Sequence, residues 1–226
     1  MAVPRNNVKI SLKRPQDDPQ CAARREEILT QAARLFAERG YDKTDTTLLA
    51  ETVGVGKGTV YRHFPSKREL FLAAADRVMR MLCERIDARM AQIEDPLEQL
   101  INGVREFLSF FAEHPGFVEL LIQERALFRD RKRPTFIEHR EMNAERWQAF
   151  YRDLMAQHRV RDIPAERITD VLGSLLYGTI FMNYFSGRPI AVDVEADNII
   201  DIVFRGILTP QELKRRGMCA ELKKAE

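Results

Sequence analysis

The chain has 226 residues, 45% of them apolar and 31% charged, with a formal net charge of +2. That length supports one or two domains with real cores, and that composition belongs to a globular protein rather than a disordered or fibrous one. No apolar run approaches the roughly 18 residues of a membrane span, and the N-terminus lacks the apolar core of a signal peptide, so the expected compartment is the cytoplasm, with no membrane partner.

Cys21, Cys83 and Cys219 are an odd number, far apart and without a C-x-x-C pair. That pattern argues against a disulfide framework or a zinc site. The four histidines are scattered, and neither H-E-x-x-H nor G-x-S-x-G occurs. The chain therefore reads as a non-enzyme, with no catalytic residue, no metal and no cofactor. Its charge is uneven: residues 1–68 hold 13 Lys/Arg against 8 Asp/Glu, and the remainder holds 23 against 26. A positive N-terminal third suits phosphate binding.

In chain order, residues 1–22 have no helical period and contain Pro4, Pro15 and Pro19, which predicts a flexible basic arm. Arg5, Lys9, Lys13 and Arg14 suit a DNA backbone or minor groove, and a solubilising tail accounts for them equally well. A first helix is expected from Ala23 to Arg39, with Ile28, Ala32, Leu35 and Phe36 on one face. Gly40 ends it, and Tyr41 is expected to pack beneath the next two helices.

The stretch from Asp45 to Phe71 organises the rest. Asp45 or Thr46 caps a short helix, Gly54 supplies the left-handed residue that ends it, and Val55 plugs the corner. A second short helix runs from Lys57 to Phe64, with Val60 and Phe64 inward and Lys57, Thr59, Tyr61, Arg62 and His63 outward. Two helices meeting across so short a turn form a helix-turn-helix. The outward set of donors, cations and one aromatic ring suits phosphates and base edges of double-stranded DNA, and Gly58 leaves the backbone bare for a phosphate. Lys43, Thr44, Thr46, Thr47 and Lys67 flank that face and complete the candidate DNA-binding set. Gly54-Val-Gly-Lys-Gly-Thr also resembles the end of a phosphate-binding loop, but Glu51 occupies the first glycine position and Gly58 follows the lysine, so a nucleotide site is excluded.

Val55-Gly-Lys-Gly-Thr-Val-Tyr-Arg-His-Phe64 followed by Pro-Ser-Lys-Arg-Glu-Leu-Phe71, with Leu35-Phe36 and Gly40-Tyr41 upstream, resembles the signature of the tetracycline-repressor (TetR) family of transcriptional regulators. The likeness covers about residues 25–71. Two positions depart from the family pattern. Gly56 stands where a serine is usual, which removes a side-chain cap, and Leu48 stands where a polar residue is common.

Beyond the motif, Ser66 and Glu69 form a capping box that launches a long helix to about Ala91. Asp95-Pro96 starts a helix to about Glu113, and His114-Pro115-Gly116 interrupts the chain. Further helices are expected over 117–128, from Pro134 to about His158, over 165–185, from an Asp193 cap to Arg205, and after Thr209. Arg129-Asp-Arg-Lys-Arg133 reads as a solvated loop. The expected fold is all-α: a helix-turn-helix domain over 23–66, joined by the long helix to a ligand-binding and dimerisation domain over 67–226.

Residues 171–185 are apolar nearly all round, so that helix must bury more than one side. The resemblance implies a homodimer in which the last two long helices pair with their copies. Leu172, Leu176, Gly178, Ile180, Ile199, Ile202 and Val203 are the candidate interface residues. It also implies a small-molecule effector, for which Met79, Leu82, Phe107, Phe111, Phe117, Leu121, Trp147, Tyr151, Tyr177 and Phe181 are the candidate contacts, although plain core accounts for the same residues. The implied function is a dimeric repressor of a pseudo-palindromic operator, released by an apolar or amphipathic effector. The competing reading is a helical dimeric interaction protein that has lost specific DNA binding.

Overall fold

A computed structural model describes residues 19–205. Most of the expected basic arm, and the helix expected after Thr209, lie outside them. All elements among the described residues are helical: α1 (Pro19–Lys43), α2 (Thr46–Thr52), α3 (Lys57–His63), α4 (Lys67–Met90), α5 (Pro96–Glu113), α6 (Pro115–Leu127), α7 (Thr135–Ala156), α8 (Ala165–Phe185) and α9 (Val192–Arg205). None is long and apolar enough to cross a membrane.

α1 starts four residues earlier than the hydrophobic period suggests, because Pro19 can occupy a first helical position, where its missing N–H costs nothing. Gly40 breaks the helix as expected, with φ 75° and ψ 171°, and a last turn carries on to Lys43. The amide of Tyr41, just past the break, is caught by the side chain of Gln123, whose Oε1 lies 2.9 Å away. Similarly, α9 begins one residue before its expected cap. Asp193 therefore sits in the first turn, where a carboxylate complements the helix dipole.

The described residues fall into two compact units. The first comprises the chain through Met81 together with Glu119–Phe136; the second comprises Leu82–Val118 and the chain from Ile137 onward. α4 and α6 each contribute to both.

In the first unit, Ile28, Leu29, Ala32, Leu35 and Phe36 of α1 meet Leu49 of α2, Val60 of α3 and Leu70 and Phe71 of α4 in the buried core. Phe71 is the hub of its aromatic part. Phe36, Tyr41 and Phe128 surround it edge-on, with ring centroids 4.9, 5.3 and 5.5 Å away. Fully burying one such side chain contributes about 1.5–3 kcal/mol.

In the second unit, α5 packs on α9 and α8, and α8 packs on α9. Asp95 caps α5 by accepting from the amides of Leu97 and Glu98 at 2.9 and 3.0 Å. Arg85 of α4 staples α5 through Glu106 and Glu113 at 2.7 and 2.6 Å. That guanidinium, helped by the Ser109 hydroxyl, holds the Glu113 carboxyl down at about 2. Just past the end of α8, Gly187 at φ 62° supplies the left-handed residue that closes the helix.

Candidate nucleic-acid interface

α3 has seven residues, far fewer than a helix needs to persist alone in water. It is held from one side only. Val60 and Phe64 are buried, while Lys57, Gly58, Tyr61 and Arg62 are exposed. The turn before it is built from Gly54 at φ 66° and Val53, which is buried against the core. Gly56 occupies the cap position of α3 with no side-chain hydrogen bond, as expected from the missing serine. α2, by contrast, is capped by Asp45, which accepts from the Thr47 amide at 2.8 Å. That bond, with Lys57 and Lys67 nearby, lowers the Asp45 carboxyl below the ordinary aspartate range.

Two contacts fasten α3 to α2. Lys57 Nζ donates to Thr47 Oγ1 at 3.0 Å, and the hydroxyls of Thr46 and Tyr61 are hydrogen-bonded to each other at 3.1 Å. Tyr61 keeps 39% of its surface in solvent, so its ring edge remains available. Thr59 is half-buried, and Gly58 has open space where a side chain would stand. His63 is half-buried as well. Partial burial, then Arg62 and Arg25, lower its pKa, so the imidazole is neutral at pH 7.

The flanking residues divide. Lys43 is exposed and Lys67 is half-buried; Lys67 donates to the Asp42 carbonyl at 3.1 Å and stands 4.9 Å from the Tyr41 ring centroid. Thr44 and Thr46 are buried. The Thr44 hydroxyl lies 2.7 Å from the Gly40 carbonyl and 3.2 Å from that of Leu35, which closes the break in α1.

Two arginines beside this face carry no motif and are absent from the candidate set. Arg24 reaches the Val53 carbonyl at 3.4 Å, and the Arg25 guanidinium stacks 5.1 Å from the Phe64 centroid. With Gln20, Cys21, Ala23, Glu27, Arg62 and His63, Arg24 lines an open cleft of about 600 Å³ at the end of α3. The adjacent pair Arg24-Arg25 ahead of the first apolar stripe is the only sequence signal for them.

The candidate effector residues are distributed over both units: Met79 and Leu121 belong to the first and the other eight to the second. Within the second, Phe107 meets Phe111 at a tilt and Tyr177 edge-on, at 5.3 and 5.2 Å, and Tyr177 stacks on Phe181 at 6.4 Å. Leu82, Phe117 and Tyr151 are buried in the same unit, and Trp147 is half-buried against Phe150. Burial raises the phenols of Tyr151 and Tyr177 well above the ordinary tyrosine range, so both stay protonated.

Among the candidate interface residues, Leu172, Ile180 and Ile199 are buried within their own unit, Leu176 and Val203 are half-buried, and Gly178 and Ile202 are exposed. Exposed apolar side chains that periodicity does not single out lie beside them: Val171, Met182 and Phe185 on α8 and Val194 and Phe204 on α9. Gly173 differs from Gly178. A side chain there would meet Arg140 Nε at 3.3 Å, whereas nothing lies within 4 Å of one at Gly178.

The family model described as bacterial regulatory proteins of the tetR family matches residues 28–74, the segment that builds this face. Over that segment the chain is similar to the tetR family. A tetR-family relative of known structure, the transcriptional regulator PfmR from Thermus thermophilus, is 26% identical; the match covers 80% of this chain and 99% of that one, with a TM-score of 0.60. The fold is also shared with FadR from Bacillus subtilis, solved with stearoyl-CoA, at 14% identity over 80% of this chain and 98% of that one, with a TM-score of 0.66. A curated relative, the nucleoid occlusion factor SlmA of Haemophilus influenzae, is 31% identical over 108 residues, 47% of this chain and 50% of that protein. The chain thus spans about half the length of the first curated relatives it matches. The all-helical architecture, with a helix-turn-helix near the N-terminus and a helical domain after it, matches the fold of that tetR-family structure.

Proposed function

We propose that this chain is a dimeric transcriptional regulator that reads a pseudo-palindromic operator with residues 23–66 and uses residues 67–226 for dimerisation and effector binding. One observation carries the reading: a seven-residue helix, pinned by Val60 and Phe64, turns Lys57, Tyr61 and Arg62 outward together. Such a helix contributes little as internal scaffold, and its exposed groups match phosphates and base edges. We assign Lys57, Tyr61 and Arg62 to DNA contact, with Thr59 and His63 at the margin and Lys43 and Lys67 on the backbone. Thr44 is left out, because its hydroxyl serves the chain itself.

The exposed apolar stripe of α8 supports the dimer. Val171, Gly178, Met182 and Phe185 are separated by seven, four and three residues and so share one face. Dimers gain from this arrangement because one short recognition helix makes few base contacts and two half-sites double them. The aromatic cluster around Phe107 and Tyr177 suits a small apolar or amphipathic effector, whose release of the repressor requires only different affinities for two conformations.

The test is fluorescence anisotropy against DNA selected by the protein from a random pool, beside a scrambled duplex, at several salt concentrations. Selective, salt-dependent binding is expected. Equal weak binding to both would favour the interaction protein that has lost specific recognition.

The likeness to the Haemophilus influenzae nucleoid occlusion factor favours a second reading, in which the DNA target is a set of chromosomal sites rather than one promoter. Genome-wide mapping of bound sites separates the two. A few sites upstream of genes favour the regulator, and many sites dispersed over the chromosome favour the nucleoid factor.

A further inference from the structure

The loop between α6 and α7, Arg129-Asp130-Arg131-Lys132-Arg133, belongs to the same compact unit as the helix-turn-helix. Its composition alone suggests a solvated turn. The structure instead fastens it at three places. Phe128, at its start, packs edge-on against Tyr41 and Phe71, each with centroids 5.5 Å apart. Asp130 pairs with Arg68 in the first turn of α4, and the Arg68 guanidinium also lies 5.0 Å from the Phe128 centroid.

The third fastening is a buried carboxylate. Glu124 of α6 is 1% exposed. Its oxygens accept from the Thr135 amide at 3.0 and 3.2 Å and from the Thr135 hydroxyl at 2.9 Å, and it pairs with Arg131. A carboxylate removed from water is tolerated only with such complete pairing. The pairing consumes Arg131 and closes the loop on itself.

Two cations of the loop stay unengaged. Arg129 and Lys132 are exposed and make no ion pair or hydrogen bond among the described residues. Asp130 of the loop and Glu124 of α6 are already paired with Arg68 and Arg131. The loop is also continuous with the DNA-facing side of the unit. Tyr41 bridges Phe128 on one side and Lys67 on the other, Lys67 reaches back to Asp42, and Lys43 is next in the chain.

We propose that this loop is a second phosphate-binding element, in which Arg129 and Lys132 meet the backbone of duplex DNA flanking the sequence read by α3. The proposal rests on the DNA-binding reading above and extends it: the footprint exceeds the helix-turn-helix, and the extra contacts add affinity without sequence preference. A fixed loop loses little further conformational freedom when it engages a phosphate, which is what separates it from a flexible basic tail.

The decisive comparison is the full chain against its Arg129→Ala/Lys132→Ala double variant on two duplexes, both carrying the selected sequence, one trimmed to its ends and one extended by ~10 bp on each side. On the extended duplex the slope of log K against log salt should be shallower in the variant by about 1.8, two phosphate contacts' worth. On the trimmed duplex the two proteins should agree. Both replaced side chains are exposed, so equal melting temperatures should accompany the change. An unchanged slope on the extended duplex, with the wild type still selective, would overturn this proposal and leave the regulator reading intact. Absence of any salt-dependent DNA binding by the wild type would sink both. Weakened binding of the variant to a poly-glutamate peptide, with DNA slopes unchanged, would reassign the loop to an acidic protein partner and overturn it as well.

Discussion

α3 and α8 each leave part of their surface uncovered, and they do so with opposite chemistry. On α3 the exposed groups are Lys57, Tyr61 and Arg62; on α8 they are Val171, Met182 and Phe185, with Met182 and Phe185 62% and 68% exposed. Donors and cations in water are at no disadvantage until a phosphate or base edge replaces the water. Large apolar side chains in water cost roughly 25 cal/mol per Å² for as long as they stay there. The contrast teaches that the two faces call for different partners: a polar, charged ligand for α3 and a second apolar surface for α8.

The largest expected effect breaks the apolar half of that contrast. Met182→Asp places a charge where a second copy is expected to pack, and an unpaired buried charge costs about 3 kcal/mol or more, well over a hundredfold in dimer dissociation. Sedimentation velocity should show the monomer mass, and an unaltered dimer would locate the interface elsewhere. Gly178→Leu sharpens the point. Nothing lies within 4 Å of a side chain at that position, so the protomer should retain its helical circular dichroism while the dimer weakens. A dimer as tight as the wild type would show that no second copy approaches there.

On the polar half, Tyr61→Ala should weaken binding to the selected duplex by about 1–3 kcal/mol, five- to 150-fold, with little change for scrambled DNA. Equal affinities would remove Tyr61 from the contact set. Tyr61→Phe isolates the hydroxyl shared with Thr46. If that bond orients the ring, this variant should lie between the other two. Lys57→Ala should reduce the salt slope by about 0.9, and an unchanged slope would mean that its bond to Thr47 is its whole role.

The smallest effect concerns pH. The His63 pKa is lowered from its ordinary 6.5, chiefly by partial burial and then by Arg62 and Arg25. A group with a depressed folded pKa favours the fold above its unfolded value and costs stability as pH falls. The His63→Gln variant should therefore lose less melting temperature than the wild type as pH drops below about 6.5. Parallel melting curves across pH 5–7 would show that His63 does not titrate in this way.

Legibility followed the kind of signal each element carries. The caps and breaks of the helix-turn-helix depend on neighbours in sequence: Asp45 on α2, Gly40 at the break, Gly54 in the turn. All three act in the structure as their residue types imply. On α3 the inward Val60 and Phe64 and the outward Lys57, Tyr61 and Arg62 stand as their residue types imply, whereas Thr59 and His63, expected outward, are half-buried. Whether Thr44 faces solvent depended on carbonyls of Leu35 and Gly40, which no spacing rule brings to its hydroxyl. Leu172 and Ile180 failed to separate from Val171, Met182 and Phe185 because a helix apolar on every side has no periodic contrast to read.

The sequence by itself determined the all-helical class, the sites of the caps and breaks and the chemistry of the exposed face of α3, because these arise from interactions within a few residues. Only the tertiary structure decided that residues 119–136 join the first unit, that Gln123 caps the broken end of α1, and that Glu124 shapes the basic loop. Each of those pairs groups far apart in the chain, or turns on how deeply a charge is buried, and burial is a property of the packed molecule rather than of any local stretch.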